Sequence, residues 1–185
     1  MLRTPPPTWT IPVLETPRLR LRAHTLSDFP AYCALWADPD VMRFISAGGK
    51  TNTTEESWGR MLRNAGHWTL LGFGSWLVEE KSTGDFVGEV GLFNYKRAID
   101  PPIGDRPEIG WILSPSKHGN GYATEAVLAL IDWARTHFTS NEIACIIAPD
   151  NTPSLRVAIK CGFIHRDTLT YRDDTILFLT RPLYT

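Results

Sequence analysis

The stretch E-I-G-W-I-L-S-P-S-K-H-G-N-G-Y-A-T-E-A, residues 108–126, decides the fold of this chain. It starts as an apolar strand, passes through a short loop with two glycines and continues into a helix. Gly119 and Gly121 permit a tight turn and close approach of a ligand to the backbone. The N–H groups in the first turn of the helix have no intrahelical acceptor, and the helix dipole makes this end positive. The stretch therefore predicts a binding loop for a phosphate or pyrophosphate.

The elements on either side of the loop both carry apolar surface. The helix has apolar residues at spacings of three and four, which predicts that one side packs on a core: Ala123, Ala126, Val127, Leu130, Ile131 and Ala134. The strand places Ile109, Trp111 and Leu113 on one face and Gly110 and Ile112 on the other. Because apolar residues occupy both faces, we expect this strand to be central in its sheet.

Two nucleotide-binding motifs fit the sequence poorly. A dinucleotide fingerprint requires G-x-G-x-x-G/A directly after the strand, but residues 114–118 intervene and Thr124 occupies the third small position. Gly49-Lys50-Thr51 imitates the end of a P-loop, yet Phe44 stands where that motif needs its first glycine. We expect residues 49–51 to form an ordinary surface loop.

A third interpretation rests on family resemblance. Residues 118–123, H-G-N-G-Y-A, resemble the [Q/R]-x-x-G-x-[G/A] acetyl-CoA signature of the GNAT N-acetyltransferase superfamily. Residues 151–163, N-T-P-S-L-R-V-A-I-K-C-G-F, are similar to the N-x-x-S-x-x-V-x-x-K-x-G-F pattern of its ribosomal-protein-alanine acetyltransferase (RimJ/RimL-type) branch. Residues 14–22, L-E-T-P-R-L-R-L-R, look like the opening strand of that branch. The resemblance covers roughly residues 14–180.

The resemblance implies both a fold and an activity. The fold is an α/β (α+β) one, with a mixed, mostly antiparallel sheet of six to seven strands flanked by about four helices. The activity is transfer of an acetyl group from acetyl-CoA to a primary amine by direct attack in a ternary complex. The amine belongs to a protein or peptide N-terminus or to a small molecule. The alternative is a module that binds acetyl-CoA without turnover, as a sensor. Neither interpretation involves a metal.

The resemblance also assigns residues to the cofactor. The acetyl-CoA contacts that it implies are Ile112, Leu113, His118, Gly119, Asn120, Gly121, Tyr122, Ala123, Asn151 and Ser154. The family usually has Gln or Arg where this chain has His118, which weakens neutralisation of the pyrophosphate above about pH 6.5. Lys117 is the candidate for compensating that charge. Residues 44–49 and 95–106 are expected to form the wall of the acceptor site, and neither segment identifies the acceptor.

Direct attack requires a base, because an amine has a reference pKa of about 8 at an α-amino group and about 10.4 in lysine. Glu108, at the start of the strand that leads to the loop, is the preferred candidate and would act through water. Glu89 is the second candidate, and the plainer interpretation of Glu108 is a solvated charge. For a general acid, Ala158 occupies the position of the superfamily's tyrosine, so the branch's serine, Ser154, is the candidate. Its alternative role is a hydrogen bond to backbone.

Composition sets the remaining expectations. A chain of 185 residues that is 43% hydrophobic fits a single N-acetyltransferase domain over residues 1–185, with a flexible segment over residues 1–12. The net charge of −1 and the scattered basic residues argue against nucleic acid, and no run is apolar enough to span a bilayer. Three cysteines at long spacings indicate reduced thiols and no zinc site. We therefore expect a cytoplasmic monomer or homodimer.

Local patterns predict the order of the elements. Helices are expected over residues 27–37, in a turn from residue 39, over residues 54–65 with Gly66 ending the helix, after the glycine loop, and from residue 152 to Gly162. Strands are expected over residues 18–22, 73–80, 86–94, 108–113, 142–148, 163–165 and 175–180.

Overall fold

A computed structural model describes residues 11–45, 47–99, 104 and 106–184. Most of the predicted flexible segment, residues 1–10, lies outside this range. The described residues form eight strands in one sheet and five α-helices. The strands are β1 Leu14–Glu15, β2 Leu19–Arg22, β3 Ser75–Glu80, β4 Phe86–Phe93, β5 Glu108–Leu113, β6 Glu142–Ile147, β7 Ile164–Tyr171 and β8 Asp174–Pro182. The helices are α1 Phe29–Trp36, α2 Pro39–Met42, α3 Thr54–Leu71, α4 Tyr122–His137 and α5 Thr152–Lys160.

The sheet has the order β1-β2-β3-β4-β5-β6-β8-β7. Its pairs are antiparallel except for β5 with β6. The predicted mixed α/β class is confirmed, although the described chain has more strands and helices than expected. One added strand is β1, which pairs with β2 over only two residues. β5 is internal in the sheet, as its two apolar faces indicated.

The hairpin of β7 and β8 is much longer than the sequence predicted. β7 continues to Tyr171 and pairs with β8 across Arg172 and Asp173, which have φ angles of 53° and 66°. Two successive residues with positive φ make the tight turn that suits the twist of a hairpin. Glycine normally marks such a turn, and its absence here hid the hairpin from the sequence prediction.

Helix α3 also exceeds its prediction, which ended it at Gly66. The helix runs to Leu71 and ends at Gly72, which has a left-handed φ of 74° and donates its N–H to the Trp68 carbonyl. Trp68 lies in the extra turn and is buried against Trp76, with ring centroids 4.6 Å apart. Burial of this indole outweighs the small helix penalty of Gly66. Thr53 is the N-cap of α3, and it forms a capping box with Glu56.

The first helix begins differently from its prediction. Residues 26–28 form a 3₁₀ turn, and α1 starts only at Phe29. Thr25 and Asp28 form the capping box of that turn. Asp28 also accepts two hydrogen bonds from the Arg22 guanidinium, so it fixes the turn to strand β2.

Helices cover both faces of the sheet. Residues of α4 pack with Ile109 and Leu113 of β5 in the larger core. On the opposite face, Ile112 packs with α1, α2 and α3 in a second cluster. Consecutive β5 side chains alternate between the two cores, which explains why the strand is apolar on both faces.

The one parallel contact opens the sheet. β5 and β6 pair only at Glu108 and Ala144, where the Ala144 N–H also donates to the Pro107 carbonyl at 3.0 Å. Beyond that point no further β5–β6 pair forms within the described strands. The sheet therefore splits toward the carboxyl ends of β5 and β6, the usual position of a ligand site next to parallel strands.

Candidate active site

A cleft of about 730 Å³ occupies the split between β5 and β6. Residues from β4, β5 and β6 form its floor and sides, and α1, α3 and the start of α5 also contribute. Phe44, Ile45, Gly48, Gly49, Tyr95 and Arg97 line it as well, so described parts of both predicted wall segments face this space. Residues 46, 100–103 and 105 of those segments lie outside the described range.

The glycine loop lies where β5 leads into α4. Gly119 and Gly121 have φ angles of 79° and 78°, in the left-handed region where a β-carbon is costly. Gly121 is the N-cap residue of α4 and supplies no side-chain cap. None of the backbone N–H groups from Gly119 to Thr124 donates to a described residue. Six consecutive donors thus remain for an anion at the positive end of a helix.

Arg18 holds the loop in place from the neighbouring strand segment. Its Nη1 donates to the Asn120 carbonyl at 2.8 Å, and its Nε donates to Glu125 at 2.7 Å. Its guanidinium also lies over the Tyr122 ring. In the sequence, Arg18, Arg20 and Arg22 alternate with Leu19 and Leu21, a pattern typical of the solvated face of an edge strand. The structure instead brings one of these arginines to the loop.

The two side chains considered for charge neutralisation point elsewhere. The Nε2 atom of His118 lies 2.9 Å from the Leu113 carbonyl, so the ring folds back on β5. Lys117 forms ion pairs with Glu80 at 2.7 Å and Asp85 at 2.9 Å. Hydrogen bonds to those two carboxylates raise the pKa of Lys117 and lower theirs. Lys117 is therefore already neutralised and does not replace the missing family Gln or Arg.

One edge of β5 is open toward the cleft. The Ser114 N–H donates to the Val87 carbonyl, so by the alternation of an antiparallel ladder the backbone groups of Leu113 and Trp111 point away from β4. They face the side on which β6 has diverged. Ile112 has its backbone groups on the β4 side and lines the cleft through its side chain. The two predicted β5 contacts, Ile112 and Leu113, thus offer different chemistry.

Asn151 and Ser154 meet at the start of α5. Asn151 is the N-cap, and its Oδ1 accepts the Ser154 N–H at 3.2 Å. Both residues line the cleft. The Asn151 amide nitrogen and the Ser154 hydroxyl make no hydrogen bond to any described residue. Within that range, the alternative role of Ser154 as a side-chain bond to backbone is not seen.

Glu108 is buried at the base of the split, with 7% of its surface exposed. Its two oxygens each accept a hydrogen bond from Arg97, both at 2.7 Å. Arg97 also donates to the Tyr171 hydroxyl. This fork geometry stabilises the carboxylate and takes up one acceptor position on each oxygen.

Glu89 lies on the same face of the sheet as Glu108. Its partner in β5 is Ile112, which is four residues from Glu108 and therefore on the same face of that strand. It is 4% exposed and lines the cleft. One oxygen, Oε2, accepts from Asn64 at 2.8 Å and Ser75 at 3.2 Å, and the His24 Nε2 lies 3.0 Å away. The other oxygen, Oε1, accepts no hydrogen bond from a described residue. Glu89 is thus a fixed carboxylate with one available oxygen.

The ring of Phe93 forms the floor between the two acids. Gly91 makes room for it, since a β-carbon there would contact the Phe93 ring and lie 2.8 Å from the Ser75 Cα. The tryptophans of residues 68 and 76 belong to the main core. The cleft is also lined by Trp36, Arg60 and Arg63, which no motif in the sequence indicated. Arg60 and Arg63 look like the ordinary polar side of a helix in the sequence.

A split sheet, a loop of free N–H groups at its end and buried carboxylates within it are the architecture of an acetyltransferase. Residues 18–164 match the acetyltransferase (GNAT) domain family. The chain belongs to the GNAT acetyltransferase family, as the sequence resemblance implied.

Several individual proteins and solved structures are similar to this chain. The uncharacterized N-acetyltransferase p20 of Bacillus licheniformis is 34% identical over 152 residues, which cover 81% of each chain. The acetyltransferase structure from Agrobacterium tumefaciens has a TM-score of 0.78 at 28% identity, covering 96% of this chain and 98% of that one. RimL, a ribosomal L7/L12 alpha-N-protein acetyltransferase solved with coenzyme A, has a TM-score of 0.75 at 18% identity, covering 92% and 98%. The last comparison shows the shared fold.

No helix among the described residues is long and apolar enough to cross a membrane. The same residues contain no group of three or more His, Cys, Asp or Glu side chains that could hold a metal ion.

Proposed function

We propose that this protein transfers an acetyl group from acetyl-CoA to a primary amine by direct attack in a ternary complex. The observation that carries this proposal is the row of free N–H groups from Gly119 to Thr124, which opens beside a cleft with an available buried carboxylate. The row fits a pyrophosphate, and the cleft leaves room for an amine. A protein or peptide N-terminus and a small amine both meet this description.

The residues present fit acetyl-CoA along its length. The loop would bind the pyrophosphate of acetyl-CoA, and the open edge of β5 at Trp111 and Leu113 would pair with the amide groups of its extended pantetheine arm. The Asn151 amide nitrogen can donate to the same arm while its oxygen caps α5. His118 turns back onto β5, so phosphate binding rests on the backbone donors of the loop, which Arg18 holds in place through Asn120 and Glu125.

The chemistry requires one bond to form and one to break. The neutral amine nitrogen attacks the thioester carbonyl carbon, the carbon–sulfur bond breaks, and CoA leaves as a thiolate. The amine loses its proton, which we assign to Glu89 through water because its Oε1 is available and its Oε2 is held by Asn64 and Ser75. We infer that Glu108 has a structural role, because it pairs through both oxygens with Arg97 and so holds the loop after β4 at the cleft.

Ser154 is the candidate for assisting the departing sulfur. Its hydroxyl lies in the cleft and is not engaged by a described residue, so it can donate a hydrogen bond to the thiolate. A thiolate with a pKa near 8.5 leaves without much help, so this contribution is small. We expect Ser154→Ala to reduce kcat by no more than about 100-fold.

The proposal is tested by calorimetric titration with acetyl-CoA, followed by thiol release in the presence of amino acids, peptides, polyamines and aminoglycosides. Micromolar binding together with thiol release supports the enzyme. Binding without release from any acceptor supports the alternative, a sensor that binds acetyl-CoA without turnover. No binding overturns the assignment of the glycine loop and, with it, the proposed function.

A further inference from the structure

The cleft contains several arginines that lack carboxylate partners. Several arginines elsewhere are neutralised, since Arg22 pairs with Asp28 at 2.8 Å and Arg20 pairs with Glu15 at 2.9 Å. Arg60 and Arg63, which line the cleft from α3, form no ion pair with any described residue. An arginine left unpaired in a half-enclosed site loses hydration without gaining a counter-ion, which is unfavourable unless a ligand provides one.

Arg60 is the most constrained of these side chains. Its guanidinium lies 3.7 Å from the centre of the Trp36 ring, which fixes the plane of the fork. Its Nε is buried and has no hydrogen-bond partner. Burial lowers the pKa of Arg60, while the nearby charge of Glu89 partly opposes this shift. The fork is therefore oriented, partly dehydrated and incompletely bonded.

The spacing along α3 places this arginine next to the proposed base. Asn64, which donates to Glu89 at 2.8 Å, is four residues after Arg60 and so lies on the same face of the helix. Arg63 is three residues after Arg60, and its guanidinium lies over Tyr95, another cleft residue. The cleft thus presents a carboxylate beside one or two cationic forks.

The other charges in the cleft do not cancel this pattern. Arg97 already neutralises Glu108. Asp150 and Asp174 lie at the opposite side, after β6 and at the start of β8, and both are exposed. The α3 side of the cleft remains cationic around Glu89.

We propose that the acceptor is an amine that carries a carboxylate or phosphate close to its amino group, with Glu89 facing the amine and Arg60 binding the anion. A planar guanidinium binds either anion through two parallel hydrogen bonds. Polyamines and aminoglycosides, which are polycationic, would place like charges against Arg60 and Arg63. This inference rests on the proposed function, because it assumes that Glu89 faces the acceptor amine.

The test measures acceptor binding to the CoA-loaded protein by calorimetry, with ligands that differ in one group. The pairs are phenylalanine with phenylalanine amide and O-phosphoethanolamine with ethanolamine, and spermidine is the polycationic ligand. We expect the member that carries the anion in at least one pair to bind about tenfold more tightly than its partner, in which that group is neutral, and spermidine not to bind. The two pairs distinguish carboxylate from phosphate. Equal or weaker binding of both anionic members, or preferred binding of spermidine, overturns the inference.

Variants show whether Arg60 is responsible. Arg60→Gln should remove the preference for the anionic member while leaving the affinity of the neutral member within about twofold, and Arg60→Lys should restore only part of it. Arg63→Gln, at an exposed position, gives a second measurement if the Arg60 variant does not fold. Arg20→Gln, on the outer strand β2, is the matched control and should change nothing. An unchanged preference in both α3 variants contradicts the proposal.

The result is separable from that of the proposed function. Failure of the protein to bind acetyl-CoA refutes the transferase proposal, whatever the acceptor. Normal acetyl-CoA binding and thiol release with a preference for neutral or polycationic amines refutes only the anionic acceptor.

Discussion

At the residue scale, the two carboxylates of the cleft have opposite surroundings. Glu89 retains an oxygen without a hydrogen bond from a described residue, whereas Arg97 binds both oxygens of Glu108. We expect Glu89→Gln to lower kcat about 100-fold or more, because an amide cannot take the amine proton. The rise of kcat with pH that reports deprotonation of the base should also disappear. Steady-state kinetics from pH 6 to 10 make this measurement.

Glu108→Gln is the matched variant in that experiment. It keeps the side-chain volume and leaves Arg97 without its anion, so it should act on KM and stability more than on kcat. A loss of 100-fold in kcat for Glu108→Gln with little change in Glu89→Gln would instead make Glu108 the base, as its place at the start of β5 first indicated.

Asp28 links the acidity of one side chain to the stability of the fold. Burial alone would raise the pKa of Asp28, but hydrogen bonds from Arg22 and Thr25 outweigh it and lower the pKa to about 2. Because this folded-state pKa is below the unfolded value of about 3.9, the stabilisation is complete above pH 4 and is lost as the pH falls toward 2. With allowance for solvent screening, it amounts to about 1 kcal/mol.

The corresponding variant is Asp28→Asn, measured by urea unfolding at several pH values. Its deficit in the free energy of unfolding relative to the wild type should be largest at pH 5–7 and shrink below pH 4. Asp132→Asn, in an exposed pair with Arg135, is the control and should show little change at any pH. A deficit for Asp28→Asn that does not vary with pH would contradict the linkage.

At the element scale, α3 positions Arg60 and Asn64, and its glycines differ in role. At Gly59 a β-carbon would meet nothing within 4 Å, so only helix propensity applies. We expect Gly59→Ala to raise the free energy of unfolding by about 0.5–1 kcal/mol. Gly72→Ala should lower it by about 1 kcal/mol, because φ there is 74°. Chemical denaturation of both variants provides the measurement, and stabilisation by Gly72→Ala would contradict the left-handed end of α3.

At the scale of the whole molecule, the sheet consists of two parts joined by little strand pairing. β1–β5 and β6–β8 meet at a single residue pair, and α4 and α5 pack beside the split. A ligand in the split would contact both parts, so acetyl-CoA at 100 times its Kd should add about 2.7 kcal/mol to stability. Hydrogen exchange should slow most at Trp111, at Leu113 and in the loop from Gly119.

ATP is the control ligand for that measurement, since residues 49–51 imitate part of a P-loop. We expect no change in Tm or in exchange with ATP. A shift in Tm with ATP equal to that with acetyl-CoA would indicate general polyphosphate binding. It would contradict a cleft that is specific for acetyl-CoA.

The sequence by itself determined much of this protein. Periodicity and glycines located β5, the loop and α4, and the motifs of residues 118–123 and 151–163 indicated the family, because these features depend on neighbours in the chain. Local patterns missed the hairpin turn at Arg172 and Asp173 and the last turn of α3. Both depend on tertiary packing, which keeps non-glycine residues at positive φ and buries Trp68.

Only the tertiary structure decided the environment of the charges. Glu89 and Glu108 look alike in the sequence, and their difference arises because Arg97, from the loop after β4, reaches only one of them. Lys117 is next to the glycine loop in sequence but pairs with Glu80 and Asp85 of another hairpin. The Arg60 guanidinium is held in place by the ring of Trp36, which belongs to another helix, α1. Ion pairs and stacking join residues far apart in the chain, so no spacing rule reveals which charges remain available.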